Sequence, residues 1–287
     1  MEITRPRPDP PSSGSGHHRE VLWLSATELW ERFTFYGLRA LLVLHLVAAP
    51  AAGGFGLTDA DAARLDLVTQ SFRRDGAQVV SSPCDVRDAA ALQAVVDAAV
   101  AMAGGIDVAI HCAGVSVAGR FHETPPEDWA WCFDINVLGV ANSCRAVIRH
   151  MARGQGGLVI NIASVAGFCA GPQMSAYNAS KAAVIALSET LMQEYGAYGV
   201  RTMVVMPAFF RTNIVANGRG PARMQEAAGK LIERSGIEAS EVAEAILMAA
   251  SRGRTHLVYP PKYRGLWWLK RFMPQRWHQI FPRLTRR

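Results

Sequence analysis

A tyrosine and a lysine four residues apart are the residues best suited to chemistry in this sequence. Tyr177 and Lys181 begin and end the stretch Tyr-Asn-Ala-Ser-Lys, and on a helix this spacing puts both side chains on one face. A free phenol has a pKa near about 10, and a neighbouring positive charge favours its ionised form. We therefore expect Lys181 to lower the pKa of Tyr177, so that the phenol can act as a general acid or base nearer neutral pH.

Two further polar residues precede this pair. Ser164 lies thirteen residues before Tyr177, at the end of the apolar run LVINIAS, and Asn136 lies twenty-eight residues before Ser164. The run is typical of a buried strand, and open parallel sheets bind ligands at the carboxyl ends of their strands. A hydroxyl there can hold a substrate carbonyl oxygen. Each residue alone is more simply explained as ordinary core or surface, so only the combination points to catalysis.

The elements that must position these residues follow from the hydrophobic pattern. After residue 65, short apolar runs alternate with longer helical stretches, which predicts an α/β domain with a parallel sheet and crossover helices. The expected strands are Gln78–Ser82, Val108–His111, Leu158–Ile162, Arg201–Met206 and His256–Tyr259. The expected helices are Ala89–Ala103, Trp129–Ala152, Ser175–Tyr198 and Ser240–Ala250.

Composition limits the function classes. With 287 residues, 50% of them hydrophobic, the chain can bury the core of one main α/β domain. The net charge of +6 arises from the segment 262–287, which has eight basic residues and no acidic one, so the whole chain is not a nucleic-acid-binding protein. The five cysteines lack C-x-x-C or zinc-like spacing, which predicts reduced thiols in a cytoplasmic protein and no metal site.

Asn136, Ser164, Tyr177 and Lys181 occur in the order and at the spacing of the short-chain dehydrogenase/reductase family, which the segment 66–260 resembles. The resemblance implies a Rossmann-like, doubly wound parallel sheet. It also implies hydride transfer between a nicotinamide cofactor and a small-molecule alcohol or ketone. In the family Tyr177 would exchange a proton with the substrate oxygen, Lys181 would hold the ribose hydroxyls, Ser164 would orient the carbonyl, and Asn136 would support a proton-relay water.

The same resemblance suggests residues for the cofactor. Asp85 and Val86 are similar to the Asp-Val step that contacts the adenine, and Ala113 and Gly114 stand where the family has the end of Asn-Asn-Ala-Gly. Pro207 and, five residues later, Thr212 stand where a Pro-Gly step and a threonine approach the nicotinamide. NAD and NADP both remain open as the cofactor, with a slight preference for NADP.

The family's phosphate-binding turn, T-G-x-x-x-G-x-G, has no convincing counterpart. It would lie near Gly37, and the glycines at 53, 54 and 56 follow Pro50 and no predicted strand. We therefore expect a sheet that is incomplete at its N-terminal side, with Gln78–Ser82 either paired directly with Val108–His111 or left at an edge that the N-terminal helix occludes. Poor dinucleotide binding follows, and an inactive chimeric remnant or scaffold joined near residue 65 is the alternative to an active enzyme.

The N-terminal region differs from the dehydrogenase-like part. Residues 1–20 are rich in Pro, Gly and Ser and are expected to be disordered, while 21–47 form a hydrophobic stretch that predicts a helix. The motif from Glu28 to Gly37, E-L-W-E-R-F-T-F-Y-G, resembles the first membrane helix of proton-coupled oligopeptide transporters. The likeness covers about residues 18–64, and the hydrophobic helix and its linker are assigned to 21–65. One helix cannot form a transport pathway, so a transporter fragment is the less favoured function.

The C-terminal tail, residues 261–287, interleaves the aromatic side chains of Trp267, Trp268, Phe272, Trp277 and Phe281 with its basic residues. This mixture suits the surface of an anionic membrane, which would make the protein membrane-associated. The equal alternative is a cap that packs on the domain or on a second subunit of a homo-oligomer. No nucleic acid is expected as a partner, because no known binding module surrounds the tail.

Overall fold

The structure of the protein is a computed structural model, which describes residues 41–44, 82 and 84–285. Within these residues, five parallel strands form one sheet in the order β1-β2-β3-β4-β5. The strands are β1 (Leu41–Leu44), β2 (Val108–His111), β3 (Gly157–Ile162), β4 (Val200–Pro207) and β5 (His256–Tyr259). The near-continuous burial of β2, β3 and β4 is typical of strands covered on both faces.

Helices follow the strands as crossover connections. They are α1 (Ala89–Ala103), α2 (Pro126–Phe133), α3 (Gly139–Arg153), α4 (Ala166–Cys169), α5 (Ser175–Tyr195), α6 (Ala222–Ser235), α7 (Ala239–Ser251), α8 (Arg264–Phe272) and α9 (Trp277–Thr285). A π-helical turn, Asp134–Leu138, joins α2 directly to α3. The Asp88 side chain accepts hydrogen bonds from two backbone N–H groups in the first turn of α1, which satisfies donors that have no partner within the helix.

The core that supports the site lies between the sheet and helices α3 and α5. Val147 of α3, Val159 of β3, Val184 of α5 and Val204 of β4 are completely buried within it. Trp277 of α9 belongs to the same core, so the C-terminal tail packs against the domain as the capping alternative predicts.

Most of the predicted elements of the dehydrogenase-like part are confirmed. The strands β2 and β5 and the helix α1 begin and end at the predicted residues. Strand β3 begins one residue earlier than predicted, and β4 extends one residue further at each end. The single helix predicted for Trp129–Ala152 is instead α2, the π-helical turn and α3 in succession. Helix α6 was not predicted.

Two predictions about the N-terminal side are wrong. The hydrophobic helix predicted over residues 21–47 does not include Leu41–Leu44, because these residues form a strand. This strand lies parallel to Val108–His111, with Leu41 opposite Val108 and Leu44 opposite His111. The edge of β2 is therefore occupied, and Gln78–Ser82 cannot pair with it directly, since β3 occupies the other edge. A short apolar run fits a helix or a buried strand equally well. Here the strand is favoured because it pairs with backbone N–H and C=O groups of β2 that would otherwise lack partners.

Other predictions fall on residues outside those that the structure describes. These are the disordered N-terminus, residues 21–40 and 45–47 of the hydrophobic helix, the glycines at 53, 54 and 56, the boundary near residue 65, and residues 78–81 of the predicted strand. Ser82 itself is not in a strand. Among the described residues, no helix combines the length and the apolar composition needed to cross a membrane.

Candidate active site

Three adjacent strands end at the candidate site. Ala113 and Gly114 follow β2, Ser164 follows β3, and Pro207 is the last residue of β4. Tyr177 and Lys181 lie in the first two turns of α5. The predicted residues thus meet at the carboxyl edge of the sheet, where parallel α/β folds bind their ligands.

Lys181 is a buried cation. Its side chain is 3% exposed, and its ammonium group donates a hydrogen bond of 3.0 Å to the carbonyl oxygen of Ile162. The ammonium nitrogen lies 5.8 Å from the centre of the Tyr177 ring. Burial lowers the pKa of Lys181 to about 8, because a charged amine loses its hydration in the interior. The amine is therefore mostly protonated at neutral pH and loses its charge at moderately alkaline pH.

Tyr177 behaves differently from the prediction. Burial raises the pKa of its phenol to about 12, a hydrogen bond with Ser164 lowers it, and the nearby Cys132 raises it. The expectation that Lys181 brings the pKa of Tyr177 towards neutrality is wrong for the protein alone, because desolvation of the phenolate exceeds the favourable effects. At neutral pH the phenol consequently keeps its proton.

Ser164 joins the end of β3 to the end of β4. Its hydroxyl donates to the carbonyl oxygen of Pro207 at 3.4 Å and accepts from the backbone N–H of Ala166 at 3.1 Å. The backbone N–H of Val165 also donates to the carbonyl of Pro207, at 2.9 Å. These bonds fix the orientation of the serine side chain at the end of β3.

Asn136 lies within the π-helical turn and is completely buried. Its amide oxygen accepts from the N–H of Val115 at 2.8 Å, and its amide nitrogen donates to the carbonyl of Val115 and to the hydroxyl of Ser180, both at 2.9 Å. The side chain therefore fixes the segment after β2 against α5. A β-carbon at Gly114 would lie 3.1 Å from the Lys181 ammonium nitrogen and 3.3 Å from the Asn136 amide oxygen, so glycine keeps this space open.

The residues predicted to contact the adenine lie in the turn before α1. The Asp85 carboxylate accepts hydrogen bonds from the Arg87 guanidinium at 2.7 to 3.1 Å. Burial acts to raise the pKa of Asp85, but the hydrogen bonds and charge of Arg87 lower it overall. Val86 is buried against Gly139, where a β-carbon would lie 2.7 Å from a Val86 methyl group. Thr212 is exposed, and its side chain makes no hydrogen bond to the described residues.

A buried polar cluster behind the site was not predicted. His111 Nδ1 lies 2.7 Å from the amide oxygen of Asn161, whose amide nitrogen donates to the hydroxyl of Ser188 at 3.0 Å. His111 and Asn161 are opposite each other in the register of β2 and β3. One indication of this cluster was present in the sequence, because each of the two polar residues lies in an apolar run that predicts a buried strand. Burial lowers the pKa of His111 to about 4, so the imidazole is neutral at pH 7.

Residues 42–221 match the family model described as short chain dehydrogenase. This match covers more than half of the chain, and the protein therefore belongs to the short-chain dehydrogenase family. The matched part begins at residue 42, upstream of the boundary predicted near residue 65 and within β1.

Curated relatives include named oxidoreductases. The chain is 32% identical over 184 residues to 2-(R)-hydroxypropyl-CoM dehydrogenase of Xanthobacter autotrophicus, which covers 63% of this chain and 74% of that protein. It is 33% identical over 175 residues to D-threitol dehydrogenase of Mycolicibacterium smegmatis, and the match covers 58% of this chain and 67% of that protein. It is 31% identical over 201 residues to the probable oxidoreductase EphD of Mycobacterium bovis, which covers 67% of this chain. The chain spans only 34% of the length of that last relative.

Solved structures share the fold. A short chain dehydrogenase/reductase from Burkholderia phymatum in complex with NAD is 28% identical, has a TM-score of 0.71, and the match covers 87% of this chain and 89% of that one. A gluconate 5-dehydrogenase from Burkholderia cenocepacia in complex with NADP and tartrate has a TM-score of 0.61 over 81% of this chain and 88% of that one. At 23% identity, the second likeness concerns the fold alone.

The buried His111 makes stability depend on pH. Its pKa in the folded protein, about 4, is lower than the ordinary value of 6.5, so the unfolded chain binds more protons between these values. The resulting stability is present above about pH 6.5 and is lost as the pH falls towards 4, by about 3 kcal/mol in order of magnitude. His111→Asn should reduce this pH dependence of the free energy of unfolding, measured in urea, whereas the exposed control His122→Asn should leave it unchanged. Equal slopes for both variants would contradict a neutral, buried His111.

Proposed function

We propose that the protein is a nicotinamide-dependent oxidoreductase that interconverts a small-molecule alcohol and the corresponding carbonyl compound. The observation that carries the proposal is the group formed by Ser164 and the buried Tyr177 and Lys181 at the carboxyl ends of adjacent strands in a chain of this family. The two relatives covered over two thirds or more of their length are both named dehydrogenases, which supports the same reaction class.

The residues present fit a nicotinamide dinucleotide. Within the described residues, the Lys181 ammonium has one hydrogen-bond acceptor, the carbonyl of Ile162, so its other N–H groups are available to ribose hydroxyls. Gly114 leaves room beside that ammonium. We propose that Asp85 and Val86 contact the adenine end, that Ala113 and Gly114 line the crevice, and that Tyr177, Lys181, Pro207 and Thr212 hold the nicotinamide end. When bound, the cofactor supplies or accepts the hydride.

The chain's own residues would bind the substrate oxygen and exchange a proton with it. The Ser164 hydroxyl would orient the carbonyl oxygen of the substrate, and the Tyr177 phenol would give it a proton in reduction or take one in oxidation. Burial keeps the phenol protonated, which is the form that carbonyl reduction requires. The Lys181 cation would stabilise the phenolate that remains after proton transfer. Asn136 would act through the backbone that it holds, and a proton-relay water beside it stays a prediction.

NADP is kept as the first cofactor to test, with NAD as the second. The residues that usually decide between the two lie in the segment after β1, outside the described residues. β1 does provide a strand upstream of the glycines at 53, 54 and 56, which removes one objection to their binding the phosphates. The glycines themselves still lack the family's motif, and poor dinucleotide binding stays the prediction of the scaffold alternative.

An inactive, dehydrogenase-derived scaffold is the second candidate function. It is favoured by one observation, the absence of the T-G-x-x-x-G-x-G pattern from the sequence. Such a protein would retain the fold and the Tyr177 group without turnover.

Replacing Tyr177 with phenylalanine tests the enzyme proposal. Tyr177→Phe should lower kcat/KM for reduction of a panel of ketones with NADPH or NADH by at least about 100-fold, the typical contribution of general acid–base catalysis. The control Tyr198→Phe alters a partly exposed tyrosine and should retain full activity. Full activity of Tyr177→Phe would contradict the catalytic role, and a folded wild-type protein with no turnover on the whole panel would favour the scaffold.

We also propose that the outward face of α8 and α9 contacts an anionic membrane surface. Trp268 and Phe272 are 50% and 77% exposed and stack on each other with ring centres 5.6 Å apart. Exposed cations accompany them, and no acidic residue occurs from 263 to 287. Self-association through this face would bring like charges together, which disfavours a second copy as the partner. Partly exposed aromatic rings among basic side chains suit an anionic interface.

Vesicle pelleting tests this surface. The full chain should pellet with vesicles that contain phosphatidylserine and remain in solution with vesicles of phosphatidylcholine alone, because both charge and apolar area are needed. The double variant Trp268→Ala/Phe272→Ala should pellet several-fold less, whereas Phe121→Ala, which removes an aromatic ring 70% exposed elsewhere, should pellet as the wild type does. Unchanged pelleting of the double variant would refute the membrane proposal.

A further inference from the structure

The segment between Ser164 and Tyr177 contains the short helix α4. Because α4 has only four residues, the carbonyl groups at its end accept no hydrogen bonds from a following helical turn. The chain leaves α4 through Ala170, which has a φ of 54° in the left-handed region. The exit of α4 is therefore a place where backbone carbonyls need donors from elsewhere in the fold.

Two side chains of the C-terminal tail supply these donors. The Lys270 ammonium of α8 donates a hydrogen bond to the carbonyl of Phe168, and the Trp277 indole N–H of α9 donates to the carbonyl of Cys169 at 2.9 Å. Trp277 is 7% exposed and belongs to the main core. Residues about a hundred positions later in the chain thus hold the last two carbonyls of α4.

Helix α4 in turn lies directly against the helix that carries the reactive pair. A β-carbon at Gly167 would lie 2.7 Å from the backbone carbonyl carbon of Lys181, so the two backbones are in close contact. At the other end, the N–H of Ala166 donates to the Ser164 hydroxyl. After α4, the Asn178 side chain of α5 donates to the carbonyl of Gly171 at 2.6 Å. A displacement of α4 would therefore move Ser164 relative to Tyr177 and Lys181.

We propose that Lys270 and Trp277 are positioning residues that hold α4 so that Ser164 and Tyr177 keep their mutual orientation. The proposal rests on the proposed oxidoreductase function for its kinetic consequence, but the contact itself is independent of turnover. Apolar packing alone would not require an N–H donor at each carbonyl. The partly buried ammonium of Lys270 would also be costly against apolar neighbours unless it were hydrogen-bonded, and the carbonyl of Phe168 provides that bond.

A positioning role and a purely stabilising role of the tail predict changes in different kinetic parameters. Small misplacements of reacting groups reduce the rate of the chemical step strongly, whereas cofactor affinity depends on other contacts. Loss of either donor should therefore lower kcat while the KM for the nucleotide stays unchanged. Lys270→Arg, which keeps a cationic donor, should restore activity that Lys270→Met loses.

Hydrogen exchange of the backbone amides of residues 165–171, read by mass spectrometry on the full chain, tests the contact directly. In Lys270→Met and Trp277→Phe this segment should exchange at least about tenfold faster than in the wild type, with kcat about tenfold lower. The matched control Arg264→Met alters an exposed basic side chain of α8 and should change neither quantity. Lys270→Met keeps the buried Trp277, so it remains informative if Trp277→Phe folds poorly.

The outcomes separate this proposal from the proposed function. Faster exchange confined to residues 165–171 in a protein without turnover would support the positioning contact and refute the enzyme proposal. Unchanged exchange in an active enzyme would overturn the positioning role alone. Faster exchange spread over the whole domain, or a kcat loss that Lys270→Arg does not reverse, would also overturn it, because the tail would then contribute only general stability.

Discussion

Burial of the Lys181 ammonium group is the interaction on which the other features of the site depend. A charge loses hydration when it leaves water, so its surroundings must supply polar contacts and exclude side chains that would crowd it. Here the carbonyl of Ile162 accepts one hydrogen bond, and Gly114 leaves space on one side. On another side, Gly167 lets the backbone of α4 touch the backbone of Lys181. Burial also raises the pKa of Tyr177 to about 12 and lowers that of Lys181 to about 8, so at neutral pH the phenol keeps its proton and the amine is mostly charged.

The supports of this pair come from distant parts of the chain. Asn136, in the π-helical turn, fixes the backbone after β2 through Val115 and contacts α5 through Ser180. The carbonyl oxygen of Pro207, at the end of β4, accepts a hydrogen bond from the Ser164 hydroxyl. The C-terminal tail, for which we propose a membrane contact, donates two side-chain hydrogen bonds to α4 and exposes the aromatic pair Trp268 and Phe272. One segment can thus contact α4, which packs against the helix of the reactive pair, and still present a charged aromatic surface.

The sequence predicted those features that depend on local pattern. The order of Asn136, Ser164, Tyr177 and Lys181, and the limits of β2, β5 and α1, follow from motif spacing and hydrophobic period. The strand Leu41–Leu44 was missed because a short apolar run has no helical or strand period of its own, and its pairing with β2 is a nonlocal contact. The raised pKa of Tyr177 was missed for a similar reason, since burial is a property of the folded chain. The contacts of Lys270 and Trp277 with α4 were likewise invisible, because donor and acceptor are about a hundred residues apart.

The proposed oxidoreductase must hold a nicotinamide nucleotide beside Tyr177 and Lys181. A fluorescence titration of the purified protein with NADPH and NADH tests this binding, with Lys181→Met as the matched variant. We expect saturable binding of at least one nucleotide and at least about tenfold weaker binding by the variant, because the ribose would lose a charged donor. Absence of saturable binding in a sample shown to be folded by circular dichroism would contradict it, as would equal affinity in the two proteins.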